Sequence, residues 1–147
     1  MEIDRDAPVL VKREIEIAAP IEVVWDVLTS VDGWSRWFAE GESAAIAGPV
    51  APGTRMRMKA RGSGTITARI ERAEQPHVLA WTSRKFGVSV ISVWRLDRRE
   101  GGTRVDKGES MDGFPAPLMR AAFQKKIGGL TDTWLRDMKM ESERRAS

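Results

Sequence analysis

The chain has 147 residues, enough for one sizeable core, and its 24 Lys and Arg against 21 Asp and Glu leave a formal charge of only +3. With no cysteine, one histidine and no tyrosine, it excludes disulfides, thiolate nucleophiles and cysteine metal sites, and leaves acid–base chemistry to carboxylates, lysine or bound water. No apolar run approaches the ~20 residues of a membrane-spanning helix, and the acidic start MEIDRD does not resemble a secretory leader. The expectation is a cytoplasmic protein of one domain over 1–147, a monomer or homodimer, with no metal, no cofactor and no stable membrane insertion.

VLVKREIEI (9–17), loosely alternating and β-branched, reads as a first strand. AAPIEVVWDVLTS (18–30) places Pro20 at a natural first helical position, with Ile21, Val24, Trp25 and Leu28 at helical spacing. A second short helix is expected over GWSRWFAE (33–40), capped by Ser30 or Asp32, with Trp34, Trp37 and Phe38 on one face. From Glu42 to about Met111 the pattern changes to strands and turns. TRMRMKAR (54–61) alternates Met56, Met58 and Ala60 with Arg55, Arg57, Lys59 and Arg61, and GSG (62–64) signals a hairpin. TITARIER, HVLAWTSR, VSVISVWRLD and TRVDKGESM follow with short connections, among them KFG (85–87) and REGG (99–102), as in an antiparallel meander. The last segment, 116–143, repeats Met119, Phe123, Ile127, Leu130, Trp134 and Met138 every three or four residues, which predicts one long helix. Its Gly128-Gly129 pair serves either close packing on the sheet or bending over a cavity. Fold class is therefore α+β, with a helix laid across a curved sheet.

The cationic row Arg55, Arg57, Lys59 and Arg61 lies on the outer face of an amphipathic strand without interleaved aromatics, so it reads as a solvated face and not as a nucleic-acid site. His77 follows a proline turn and reads as a hairpin-edge residue. Strict alternation from an inward Val105 sends Lys107 and Glu109 inward as well, and buried charge requires a partner. Glu109 is the best candidate for a functional carboxylate, with Lys107 or Arg69 beside it; the structural alternative is a strand-end Glu109 paired with an arginine at a rim. No catalytic residue is assigned.

Five stretches in order, IEIAAPIEVVWDVLTSVDGWSRWF, PGTRMRMKA, AEQPHVLAWTSR, VWRLDRREGGTRVDKGESMDGFPAPLM and the terminal helix, resemble the START-like, Bet v 1-like (SRPBCC) superfamily. The similarity is to its polyketide cyclase/dehydrase and lipid-transport-like members. The resemblance implies the helix-grip fold: a curved antiparallel sheet wrapped around a long C-terminal helix, with two short helices after the first strand and a pocket between sheet and helix. The expected ligand-binding residues are Trp34, Trp37, Phe38, Met56, Met58, Trp81, Trp94, Glu109, Met119, Phe123, Ile127 and Trp134, with Trp34 rather than Trp37 turned to the ligand. Methionine and tryptophan suit an adaptable apolar cavity. Two functions follow: a carrier or sensor of a small hydrophobic, aromatic or lipid-like molecule, or a cyclase/dehydratase using Glu109.

Overall fold

The computed structural model describes residues 1–62 and 64–147, so Ser63, in the turn expected at GSG, lies outside the described residues. Strand β1 (Val9–Ile17) is followed by α1 (Ile21–Thr29), a 3-10 turn at Val31–Gly33 and a single helical turn, α2 (Trp34–Trp37). Six strands come next: β2 (Gly41–Ile46), β3 (Arg55–Ala60), β4 (Gly64–Glu74), β5 (Val78–Lys85), β6 (Val88–Arg99) and β7 (Gly102–Asp112). The long helix α3 (Arg120–Ala146) ends the chain.

Strands β2 to β7 form a continuous meander, and β1 pairs with β7, giving the sheet order β1-β7-β6-β5-β4-β3-β2, antiparallel throughout. Facing residues in an antiparallel pair share a side, so the register defines the concave face. Ile15, Val105 and Leu96 share one row, and Lys107 and Trp94 the next. Glu109, Ser92, Trp81 and Ile70 form a third, followed by Met111, Val90, Ser83, Ala68 and Met56. The cationic row of β3 falls on the opposite, outer face, where Lys59 pairs with Glu42 at 3.2 Å. His77 closes the β4–β5 turn, its Nδ1 2.9 Å from the Leu96 carbonyl.

Three local readings need correction. Pro20 sits one residue before α1 as its N-cap, and its carbonyl accepts the amides of Val23 and Val24. Helix α2 is one turn rather than eight residues, because Phe38 already has extended backbone, and among the described residues no side chain caps it. Asp32 instead accepts the backbone N–H of Ile46 at 3.1 Å, which ties the turn to β2. Helix α3 begins at Arg120, not at 116: residues 115–119 form a tight turn in which Pro115 O accepts the amides of Leu118 and Met119. A proline at 117 has no N–H to contribute to a helix interior.

The main core lies under α1, α2 and the second half of α3. It includes Ile17, Val24, Leu28, Trp34, Trp94, Leu96, Val105, Trp134, Leu135 and Met138, all buried. A smaller cluster, Val9, Met111 and Ala116 with Phe123 and Ile127 packed against it, lies under the first half of α3. The helix also closes the free edge of β1. The Gln124 side-chain amide accepts Leu10 N–H at 3.2 Å and donates to Leu10 C=O at 2.6 Å, while Lys139 donates to Glu16 C=O at 3.0 Å. Gly128 is buried where a methyl group would meet the Arg13 guanidinium at 3.0 Å, whereas Gly129 faces open space. Of the two readings of this pair, close packing accounts for Gly128 alone.

Candidate ligand-binding site

Between the concave sheet and α3 lies a cavity of about 120 Å³. Trp34 and Phe38 reach it from the α2 turn, Met58 and Ile66 from β3 and β4, and Trp81 and Ser83 from β5. Val90 and Ser92 approach from β6, Glu109 and Met111 from β7, and Ile127, Leu130 and Trp134 from α3. The wall is therefore aromatic at one end and thioether and aliphatic at the other.

The aromatic end is a packed group. Phe38 stacks on Trp134 with ring centroids 4.7 Å apart, and Trp34 meets Trp134 edge-on at 5.1 Å. Trp81 touches both indoles at about 6 Å. Such offset and edge-on contacts add to the area the rings bury. Trp34 is fixed further, because its Nε1–H donates to the Leu28 carbonyl at 3.0 Å. The Nε1–H of Trp134 is buried without an acceptor among the described residues.

Beneath this group sits the most costly element of the site. The Lys107 ammonium is buried, 5.0 Å from the Trp94 ring centroid and 4.9 Å from that of Trp134, so two indole faces share one cation. It lies 3.5 Å from Glu109 Oε1 and 3.4 Å from Thr131 Oγ1. The same Glu109 oxygen accepts a short hydrogen bond of 2.6 Å from Ser92 Oγ. Glu109 is thus held from two sides at the cavity wall, and the pair introduces no net charge. A buried ion pair repays its desolvation only when further hydrogen bonds complete it, and Ser92 and Thr131 supply them. Arg69, the other expected partner, is on the outer face, 59% exposed and 3.9 Å from Glu71. No arginine pairs with Glu109 among the described residues.

The expected residues separate into two groups. Trp34, Phe38, Met58, Trp81, Glu109, Ile127 and Trp134 line the cavity. Five do not. Met56 and Trp94 are buried in solid core, Trp94 behind Lys107. Trp37 is half-buried and packs on Phe38 at 6.3 Å, outside the cavity. Phe123 belongs to the smaller cluster, and Met119, ahead of the helix, is exposed. The inward hydroxyls missed were Ser83 and Ser92, and the signal for both was present in strand alternation, Ser83 two positions after Trp81 and Ser92 between Val90 and Trp94.

Among the described residues there is no group of three or more His, Asp or Glu side chains that could hold a metal. No helix among them is long and apolar enough to cross a membrane.

This architecture is shared with known structures. The Zhui aromatase/cyclase from Streptomyces sp. R1128 superposes with a TM-score of 0.81 at 20% identity, covering 94% of this chain and 95% of that one. The hypothetical protein jhp0584 from Helicobacter pylori also superposes at 0.81, with 17% identity over 95% of this chain and 91% of its own. At these identities the likeness is one of fold. In sequence, a candidate polyketide cyclase from Streptomyces halstedii is 49% identical over 35 residues, a stretch covering 24% of this chain and 32% of that relative's length. The pattern of one family runs through residues 8–143, nearly the entire sheet and helix. The chain belongs to the polyketide cyclase / dehydrase and lipid transport family, with the helix-grip fold of START-like, Bet v 1-like proteins.

Proposed function

We propose that the protein is a carrier or sensor of a small, largely apolar molecule built on one aromatic ring and bearing a hydroxyl or similar polar group. The observation that carries this reading is a cavity of about 120 Å³ with aromatic walls and a single fixed carboxylate, Glu109. That volume is comparable to the ~150 Å³ of an engineered apolar cavity that takes up benzene, which limits the guest to about one ring, and a fused polycycle requires α3 to move. A ligand hydroxyl donates to Glu109, and an acceptor on the ligand satisfies the unpaired Nε1–H of Trp134. The neutral Lys107–Glu109 pair favours a neutral guest over an anion or a cation.

Titration calorimetry with phenol, p-cresol and 2-naphthol tests this, alongside native mass spectrometry of freshly purified protein. The one-ring phenols are expected to bind and displace a polarity-sensitive dye. Glu109→Gln, which keeps an acceptor for Ser92 but leaves the buried Lys107 charge unbalanced, is expected to lower stability and to weaken phenol about tenfold more than toluene. Equal binding of phenol by both proteins removes Glu109 from the reading, and no uptake of any of these compounds removes the reading itself.

The alternative is a cyclase or dehydratase in which Glu109 accepts the proton beside a substrate carbonyl. It draws on the 35-residue match and on a carboxylate oriented in an apolar pocket. For that role Glu109→Gln lowers kcat by about 100-fold or more; an unchanged kcat on an identified substrate discards it.

A further inference from the structure

Four of the large hydrophobic side chains exposed among the described residues belong to two loops at one end of the sheet: Phe86 at 88%, Phe114 at 71%, Leu118 at 76% and Met119 at 44%. The loops touch. Gly113 lies so close to the Gly87 carbonyl that a Cβ there would sit 2.2 Å from the oxygen, and a Cβ on Gly87 would sit 3.2 Å from Phe114 O. The β5–β6 hairpin and the β7–α3 loop therefore form one apolar tip. Adjacent exposed apolar groups of this size mark an interaction surface.

The hairpin shows that the tip is more than a loose turn. Lys85 and Val88 pair across a two-residue connection, in which Phe86 has φ +51 and Gly87 φ +82. This is the geometry for which Asn-Gly and Asp-Gly are the ordinary choices. A phenylalanine there carries a conformational penalty and gains nothing from burial, so its position points to something outside the chain.

The charges around the tip say what that something is. Lys85 Nζ is 5.6 Å from the Phe86 ring, and Lys126 at the start of α3 donates to Gly62 C=O at 3.1 Å, which brings the β3–β4 turn to the same end. Arg120 and Lys125, both exposed, follow on α3, where Lys125 and Lys126 share a surface hollow with Arg61 and Glu40, and Asp112 is exposed between the loops. Protruding rings inside a collar of cations match a surface that is apolar beneath and anionic above. We propose that this end docks peripherally on an anionic lipid surface, with Phe86, Phe114 and Leu118 entering the acyl boundary. The pose sets the cavity close to the bilayer, since its lining residues Val90 and Met111 lie four and three positions from Phe86 and Phe114. Docking does not depend on which ligand the cavity takes.

Co-sedimentation of the full chain with vesicles of 70% phosphatidylcholine and 30% phosphatidylserine, and with pure phosphatidylcholine, tests the proposal. Partition onto the anionic vesicles is expected, weakening in high salt. Phe86→Asn is expected to reduce it about tenfold while Tm rises by about 2 °C, because asparagine tolerates the turn; misfolding cannot then account for the loss. The double variant Lys125→Glu and Lys126→Glu is expected to reduce it about tenfold or more. No partition onto anionic vesicles overturns the proposal, as does equal partition by Phe86→Asn. Retention on immobilised polyglutamate without vesicle binding also overturns it, in favour of an acidic protein partner.

Discussion

The two halves of α3 do different work. From Thr131 onward the helix is buried at Thr131, Trp134, Leu135, Met138 and Ser142, and polar ties hold it at intervals. Asp132 bonds Arg13 at 2.8 Å, Asp137 accepts Ala39 N–H at 2.9 Å, Glu143 accepts Ala18 N–H at 2.8 Å, and Arg145 reaches Asp26 at 3.1 Å. Ahead of Thr131 the helix keeps the Gln124 and Lys126 ties, but Phe123 and Ile127 are only half-buried, the cluster beneath them is small, and Gly129 interrupts the helical preference with no packing contact among the described residues. The cavity lies at the junction, under Ile127, Leu130 and Trp134. Stability is thus concentrated at one end of the helix, and the part that can yield to a guest is at the other.

Truncation contrasts the halves most directly. Met138→Ala empties a fully buried site and is expected to cost about 3 kcal/mol, whereas Phe123→Ala, at a half-buried position, costs about 1 kcal/mol; urea unfolding of the two variants measures the ratio. Equal losses mean that the first half is as firmly packed as the second. Gly129→Ala acts in the opposite direction, because the added methyl meets only open space. A gain of about 0.5–1 kcal/mol is expected, with slower dye uptake in stopped-flow if the first half must bend to admit a guest. An unchanged uptake rate leaves the helix straight during binding.

The smallest effect is pH-dependent. Lys139 and the Ala18 amide hold the Glu143 carboxyl below the usual carboxylate range. A group whose folded pKa is the lower one adds its full stability above the unfolded value of about 4.3 and loses it as pH falls through the folded value. Glu143→Gln is therefore expected to cost about 0.5 kcal/mol at pH 7 and progressively less below pH ~4, as thermal melts across that range would show. A pH-independent cost would locate the effect in packing.

Much of this was legible in the sequence because a meander pairs neighbours directly. Once Val105 is taken as inward, the period of two carries Lys107 and Glu109 to the same face, and the observed register agrees. Alternation, however, fixes a side and not a depth. Met56 and Met58 share a strand face, yet one is solid core and the other borders the void, because the concavity depends on how all seven strands curve together. The start of α3 was misread for a related reason. Met119 continues the apolar spacing of the helix, but Pro117 and the 115–119 turn set the boundary. Lys107 could be placed inward from its neighbours, while the two indoles sharing its charge come from β6 and α3, 13 residues before it and 27 after it. KFG reads only as a separator, since nothing local requires a phenylalanine to take up a left-handed backbone.

Gln124 has one more consequence. Strand β1 is an outer edge of the sheet, and exposed edges invite strands from other copies to add on. By meeting both the N–H and the C=O of Leu10, a single side-chain amide takes the place that an incoming peptide unit would need. The helix that roofs the cavity therefore also blunts edge-to-edge polymerisation, with Lys139 meeting the Glu16 carbonyl further along the same edge.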